Sequence, residues 1–307
     1  MAVTADAANA RNTRRNARDG VDANAWRERI ETRLGRLVDA QDGACPRLLE
    51  AMRYGLLAPG KRVRPLLAVL TALDFGRDAD CVLDFGCALE MVHCASLLLD
   101  DLPCMDDAQL RRGRPAAHRR FGEATTTLAA VGLLNQAYAV IARDAALPQP
   151  VRTALVAELS RAVGTAGLVS GQSRDLRERD GALEEEAVDS IHRQKTGVLF
   201  ELAIAGAGRI IGLPAVRVER LNRCAGRIGL AFQYADDLLD DERAARDSGK
   251  DRDADRDKAG SVHDVGIDEL RRRLRREVTE AEADLAGLDP SGTRLQRFVR
   301  LLFDPLL

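Results

Sequence analysis

Two groups of aspartates hold the residue types best suited to chemistry. The first is Asp100-Asp101-Leu102-Pro103-Cys104-Met105-Asp106-Asp107, and the second is Asp236-Asp237-Leu238-Leu239-Asp240-Asp241. Carboxylates crowded in this way repel one another unless a cation neutralises them. A helix wall of carboxylates with open coordination suits Mg²⁺ shared with phosphate oxygens. Asp236 and Asp240 are four residues apart, so they share one helix face, with Asp237 beside them. That pattern alone also fits a solvated helix end, as Asp241-Glu242 would. Asp100 and Asp101 differ, because they close an apolar stretch where a solvated face is not expected. Pro103 disturbs the following turn, and a helical bulge there can swing Asp106 back beside Asp100. Carboxylates left without a partner beside an interior cavity are costly, which makes the first group the stronger metal candidate.

Basic residues complete the pattern. Gly60-Lys61-Arg62-Val63-Arg64-Pro65 opens an early helix, where Lys61 and Arg64 are three apart and can face one ligand. Arg111-Arg112-Gly113-Arg114-Pro115 follows the first acidic group. A lone histidine on an apolar helix is ordinarily a core residue. His93, however, lies two turns before Asp100 on the same face, which makes it a candidate ligand contact. Two anionic subsites are thus suggested. One is metal-bridged between the aspartate walls; the other is held directly by Lys61, Arg64, His93 and Arg112. Lysine usage bears on the same point. Of 46 basic side chains only Lys61, Lys195, Lys250 and Lys258 are lysines. Either a coding bias left four random survivors, or lysine is kept where a compact point charge is needed and the planar fork of arginine would not fit.

Helices must position these groups. Val218, Leu221, Ala225, Ile228 and Phe232 recur at helical spacing on the approach to the second acidic group. Ile267, Leu270, Leu274, Val278, Ala281, Leu285 and Leu288 do the same near the C-terminus. Residues 82–99 are apolar on nearly all sides, as befits a central helix buried in a bundle. No series of alternating strands is present. Breakers at Pro59-Gly60, Gly76, Gly113, Pro115, Pro148, Pro150, Gly181, Gly212, Pro214, Gly249, Gly260 and Pro290 cut the chain into about ten helical pieces. Asp241 to Asp257 reads as a mobile loop and residues 1–23 as a disordered tail. The expected architecture is all-α, a single domain over 24–307 with about ten or more helices around a central cavity.

Composition narrows the classes further. A chain of 307 residues that is 46% hydrophobic can build a sizeable core. Its net charge of −2 argues against general nucleic-acid binding, which favours a basic face. No run of about 18 apolar residues occurs, so no transmembrane segment is expected, and the N-terminus lacks the apolar core of a secretory signal. The six cysteines form no CxxC pair and no zinc spacing. Reduced thiols in a cytoplasmic protein are the expectation.

At this point the residues match a family. Over about residues 45–290 the chain resembles the trans-type polyprenyl diphosphate synthases, especially the bacterial geranylgeranyl diphosphate synthases of carotenoid and photosynthetic-pigment pathways. The resemblance is carried by GKRVRP at 60–65, HCASLLLDDLPCMDDAQLRRGRP at 93–115, FGEA at 121–124, GQSRDL at 171–176, KTG at 195–197 and GLAFQYADDLLDDE at 229–242. It implies that Asp100, Asp101 and Asp106 hold Mg²⁺ on an allylic diphosphate, and that Asp236, Asp237 and Asp240 hold it from the opposite wall. Three Mg²⁺ per active site are implied. Arg111, Lys195 and Lys258 would neutralise the same diphosphate, with Thr196 and Gln233 beside it. Lys61, Arg64, His93 and Arg112 would bind isopentenyl diphosphate, and Lys250 would sit in a closing loop. All four lysines thus fall in or beside implied phosphate contacts. A homodimer is also implied.

The implied reaction is head-to-tail prenyl transfer. Loss of the allylic diphosphate gives a carbocation, the double bond of isopentenyl diphosphate attacks it, and a proton is lost. Side chains about one turn before Asp100 should line the tunnel that houses the product. These are Ala95 and Ser96, both small, where an aromatic floor in related synthases limits the product to C15. Small residues imply a deeper pocket and geranylgeranyl diphosphate, C20; Met91, Leu133 or Leu134 could form a lower floor. Alternatives are a farnesyl or longer-chain synthase, and a non-catalytic regulatory partner of a prenyl synthase. A head-to-head synthase fits GKRVRP and RRGRP poorly. Three positions depart from the family pattern: Pro59 for a common glycine, Val131 for a common aspartate, and Gly260 for a threonine.

Overall fold

A helix that is apolar all round has to be walled on all sides, and the chain does this for residues 80–100. The computed structural model describes residues 23–40, 43–177, 185–247, 266–288 and 294–307, excluding the side chains of 185–186 and 240–247. In chain order the helices are α1 (Ala23–Asp39), α2 (Pro46–Leu56), α3 (Val63–Asp74) and α4 (Asp80–Asp100), then α5 (Ala117–Phe121), α6 (Glu123–Arg143), α7 (Gln149–Val163) and α8 (Leu168–Arg177). They continue as α9 (Glu185–His192), a five-residue π turn (Arg193–Gly197), α10 (Val198–Ile210), α11 (Ala215–Asp247), α12 (Ile267–Ala286) and α13 (Arg294–Phe303). The central helix α4 packs against α3, α6 and α10, while α11 packs against α10 and α12. The fold is the expected all-α bundle. Ala23, the last residue assigned to the tail, already starts α1; the rest of the tail lies outside the described residues.

Local sequence explains the element ends. Pro46 opens α2 at a position whose N–H needs no partner. Gly266, at φ 80, precedes α12, whose first turn carries Asp268 and Glu269 toward the helix dipole. Asp74, at the end of α3, accepts the backbone N–H of Arg294 at 2.8 Å and of Leu295 at 2.9 Å, so it caps α13 from a distant part of the chain. Most of the apolar faces read from periodicity are buried: Leu270, Leu274, Val278, Ala281 and Leu285 on α12, and Val218, Leu221, Ala225 and Ile228 on α11. Leu288 and Phe232 are partly buried, and Ile267, at the first position of α12, is exposed.

Two features differ from the sequence reading. The loop expected from Asp241 begins later, because α11 continues through Asp247. Glu242, Arg243, Ala244, Ala245 and Arg246 are good helix formers, and the first breaker is Gly249. Residues 248–257 of that loop lie outside the described residues. A two-stranded hairpin also forms, β1 (Leu110–Arg111) with β2 (Arg114–Pro115), paired Leu110 to Pro115 and Arg111 to Arg114. Its two-residue turn places Arg112 at φ 54 and Gly113 at φ 73, as a type I′ turn requires. Strands this short leave no alternation to read.

Among the described residues two helices, Asp80–Asp100 and Glu123–Arg143, are long and apolar enough on composition to cross a membrane, although the sequence holds no unbroken apolar run of that length. The first is the bundle's central helix. The second, α6, leaves Leu128 59% and Val131 56% exposed.

Close packing sets the spacing of α3 and α4. A Cβ on Gly86 would meet the Cα of Pro65 at 2.9 Å. Gly86→Ala gains about 1 kcal/mol of helix propensity but overpacks a backbone contact at a cost of about 1–3 kcal/mol. The contact is to backbone, which cannot move aside as a side chain would, so denaturant unfolding should show net destabilisation of up to about 2 kcal/mol.

Candidate active site

The end of α4 builds the first wall. After Asp100 the chain makes a compact turn in which the Asp106 N–H donates to the Asp100 carbonyl at 2.9 Å and the Asp107 N–H to that of Leu102 at 3.1 Å. The turn returns Asp106 to the end of the helix, so Asp100 and Asp106 sit side by side. Burial pushes the Asp100 carboxyl up to about 6; Lys195 opposes this shift, and Asp106 and Asp101 reinforce it. Asp101 is 2% exposed and is met by the Arg111 guanidinium, whose Nε donates to it at 2.9 Å.

The hairpin directs two adjacent arginines to different places. Arg111, on the strand, goes to Asp101. Arg112, in the turn, reaches the Ala58 carbonyl at 3.4 Å and lies over Gly60, where a Cβ would meet its Nη1 at 2.7 Å. Tyr54 fixes the hairpin to α2 by donating to the Pro115 carbonyl at 2.7 Å, with the Arg114 guanidinium 4.0 Å above its ring. One cavity is lined by His93, Arg112, Arg62, Glu90, Tyr54 and Leu98 among others. Lys61 is exposed, and Arg64 is buried with its guanidinium 5.1 Å from the Phe200 ring. Burial pushes the Arg64 guanidinium down to about 10, with Glu90 and Asp236 opposing that shift and Arg112 adding to it. His93 is held well below its usual range by burial and by Arg64, Arg112, Arg111 and Arg62, so it is neutral at pH 7.

The opposite wall is α11. The Gln233 Nε2 donates to Asp237 at 2.9 Å, and Gln233 accepts from the Thr196 hydroxyl at 3.0 Å. Asp237 also lies 4.0 Å from His192 Nε2. Asp236 is exposed. Asp240 continues the same helix, but its side chain lies outside the described residues, as do Lys250 and Lys258 entirely. Lys195 and Thr196 ride on the π turn Arg193–Gly197, a helix defect often found where side chains must be aimed. Lys195 donates to Asp175 at 2.7 Å.

Several of these contacts went unassigned in the sequence reading. Asp175, which holds Lys195, lies in the GQSRDL segment at 171–176. His192 stands three residues before Lys195. Arg62 and Glu90 flank residues already singled out. Their signal was their place inside or beside the motifs; nothing in the spacing said which way they point. Val131 faces outward on α6, away from these walls. Gly260 lies outside the described residues.

Among the described residues, no three acidic, histidine or cysteine side chains already converge into a metal cage. Mg²⁺ does not require one, since it keeps waters and takes one or two carboxylates together with substrate phosphate oxygens. The raised Asp100 carboxyl, crowded by Asp101 and Asp106, fits such an ion.

Comparison with known proteins bears on the whole arrangement. The polyprenyl synthetase family model matches residues 45–281. The geranylgeranyl diphosphate synthase of Pseudescherichia vulneris is 44% identical over 262 residues, 82% of each chain. That of Pantoea ananas is 41% identical and covers 91% of each. The solved geranyltransferase of Legionella pneumophila superposes with a TM-score of 0.84 at 28% identity, covering 96% of this chain and 98% of its own.

Proposed function

This chain belongs to the polyprenyl synthetase family, and on that premise we propose that it condenses isopentenyl diphosphate with an allylic diphosphate to make geranylgeranyl diphosphate. It is a head-to-tail prenyltransferase enzyme. The observation that carries the site assignment is that the π turn joins the two walls: its Lys195 acts on Asp100 of α4, while its Thr196 donates to Gln233 at 3.0 Å, which donates to Asp237 of α11 at 2.9 Å.

The residues then divide by role. Arg111 and Lys195 stand at the departing allylic diphosphate, already held in place by Asp101 and Asp175. Preorganised cations of this kind stabilise the negative charge that develops as the C–O bond breaks. Mg²⁺, three ions per site held by Asp100, Asp101 and Asp106 on one side and Asp236, Asp237 and Asp240 on the other, would add its charge to the same leaving group. Lys258 would neutralise the same leaving group and Lys250 would belong to a closing loop, as the family resemblance implies; both lie outside the described residues. Thr196 and Gln233 orient Asp237 through their hydrogen-bond chain. Lys61, Arg64, neutral His93 and Arg112 bind isopentenyl diphosphate, whose double bond attacks the allylic cation. The proton lost afterwards goes to the released diphosphate, so no side-chain nucleophile is needed. Excluding water protects the cation.

Ala95 and Ser96 support the C20 product, as do the geranylgeranyl synthases among the relatives. The exposed apolar residues Leu128 and Val131 of α6 support a homodimer in which a second copy covers them. Six free cysteines support a cytoplasmic, reducing setting. A place in carotenoid biosynthesis is consistent with the C20 product.

Purified protein given Mg²⁺, isopentenyl diphosphate and each allylic primer in turn should yield a C20 diphosphate. A C15 or longer main product would overturn the chain-length reading. Failure to condense with any primer would favour a non-catalytic partner.

A further inference from the structure

Arg62 is the one cation of the GKRVRP segment for which the proposed chemistry has no use. It lies between Lys61 and Arg64, and its backbone is left-handed, at φ 51 and ψ 42, a conformation unfavourable for a side chain with a Cβ. That turn sends the guanidinium inward, where its side chain is 2% exposed and its Nη1 donates to the Glu90 carboxylate at 3.1 Å. Its Nη2 donates to the Ala58 carbonyl at 2.7 Å. Its Nε lies 3.4 Å from the carboxylate of Glu31 on α1, a side chain 43% exposed. Glu90 comes from α4, three residues before His93, and is 4% exposed. Arg62, Glu90, His93 and Arg112 line one cavity. Glu90 also acts electrostatically on Arg64 and Arg112. In a desolvated cavity a carboxylate free to turn would compete strongly with a diphosphate for those two guanidiniums.

We infer that Arg62 is a positioning residue: it engages the Glu90 carboxylate in a buried pair, so that Arg64 and Arg112 stay available to isopentenyl diphosphate. This rests on the assignment of Arg64 and Arg112 to that diphosphate. Removing one member of a buried ion pair leaves a charge seeking a partner, whereas removing both can be nearly neutral. A double-mutant cycle therefore separates positioning from simple structural support.

The cycle compares wild type, Arg62→Met, Glu90→Gln and the double variant by steady-state condensation kinetics, with thermal unfolding of each. Arg62→Met should raise KM for isopentenyl diphosphate about tenfold while KM for the allylic diphosphate stays within about twofold. Adding Glu90→Gln should bring the first KM back to within about threefold of wild type. Arg62→Lys, which keeps the charge and loses the fork, should fall between wild type and Arg62→Met, and it carries the test if the methionine variant does not fold. A double variant as impaired as Arg62→Met, or both KM values moving together with the melting temperature, would overturn the inference. So would an unchanged KM for isopentenyl diphosphate in folded Arg62 variants. Arg64→Lys serves as the control. If it too leaves that KM unchanged, the subsite assignment itself has failed. If it raises KM while the Arg62 variants do not, only the role of Arg62 has.

Discussion

Asp100→Asn should cost at least about 10³-fold in kcat/KM and yet melt at a higher temperature than the wild type in metal-free buffer. The first part follows from the position of Asp100 at the end of α4, beside Asp106 and across from Lys195. A neutral amide oxygen holds Mg²⁺ far more weakly than a carboxylate does, and with that cation loosened the charge of the departing diphosphate is left less neutralised. The second part follows from burial. The folded-state carboxyl is pushed up from 3.8 to about 6, so the folded chain holds its proton to higher pH than the unfolded chain does. Stability from this group is then present below about pH 4 and is lost as pH rises toward about 6, leaving the ionised form a burden of about 1–3 kcal/mol at pH 7. The asparagine removes that burden. Asp236→Ala provides the contrast. It should lose turnover to a similar degree but without the rise in melting temperature: Asp236 is exposed and its charge favours the buried Arg64 guanidinium, so its removal relieves no burial cost and should leave the melting temperature unchanged or lower. Full activity in either variant would remove the claim that two carboxylate walls share one site.

The contrast between these two aspartates shows what the sequence could and could not say. Both groups were visible as carboxylate clusters, and the surrounding helices were visible as 3.6-residue periodicity or as unbroken apolarity. Whether a given carboxylate is buried depends on what packs over it, which no local pattern records. Asp101 illustrates this, because its 2% exposure comes from a hairpin ten residues downstream. The hairpin itself rests on Arg112 and Gly113 in left-handed conformations, and only the glycine advertises that. The π turn under Lys195 is likewise invisible: one extra residue rotates the downstream face by about 100°, but the eight residues of α9 before it are too few to fix a phase against which that rotation could be read. By residue type Arg62 is one more cation in a basic segment. Its inward direction is set by a backbone angle, not by its residue type. The lysines, by contrast, are marked by composition: they are scarce in an arginine-rich chain, and Lys195 lies where its charge acts on Asp100.

Ala95→Tyr should convert the main product from C20 to C15. Ala95 is 4% exposed on α4, and Met91, one turn deeper on the same column, is fully buried. Ser96, four residues before Asp100, shares the face of the aspartate and donates its hydroxyl to the His93 carbonyl at 2.9 Å. The pair therefore stands between the diphosphate end of the site and the apolar interior that includes Met91 and Leu133. A growing prenyl chain that extends down α4 must pass them. A tyrosine at 95 adds an aromatic ring to that path, and the ring has room only if the path exists. Two outcomes follow, and product chromatography with thermal unfolding separates them. If the chain does run past Ala95, the ring occupies space otherwise filled by the last isoprene unit; the product shortens and the melting temperature changes little. If Ala95 instead packs against solid core, the ring overpacks it at a cost of about 1–3 kcal/mol, and whatever folds still makes C20. The small residues just before Asp100 argue for the first outcome, because a bundle with no tunnel there gains stability by filling the position with a larger apolar side chain.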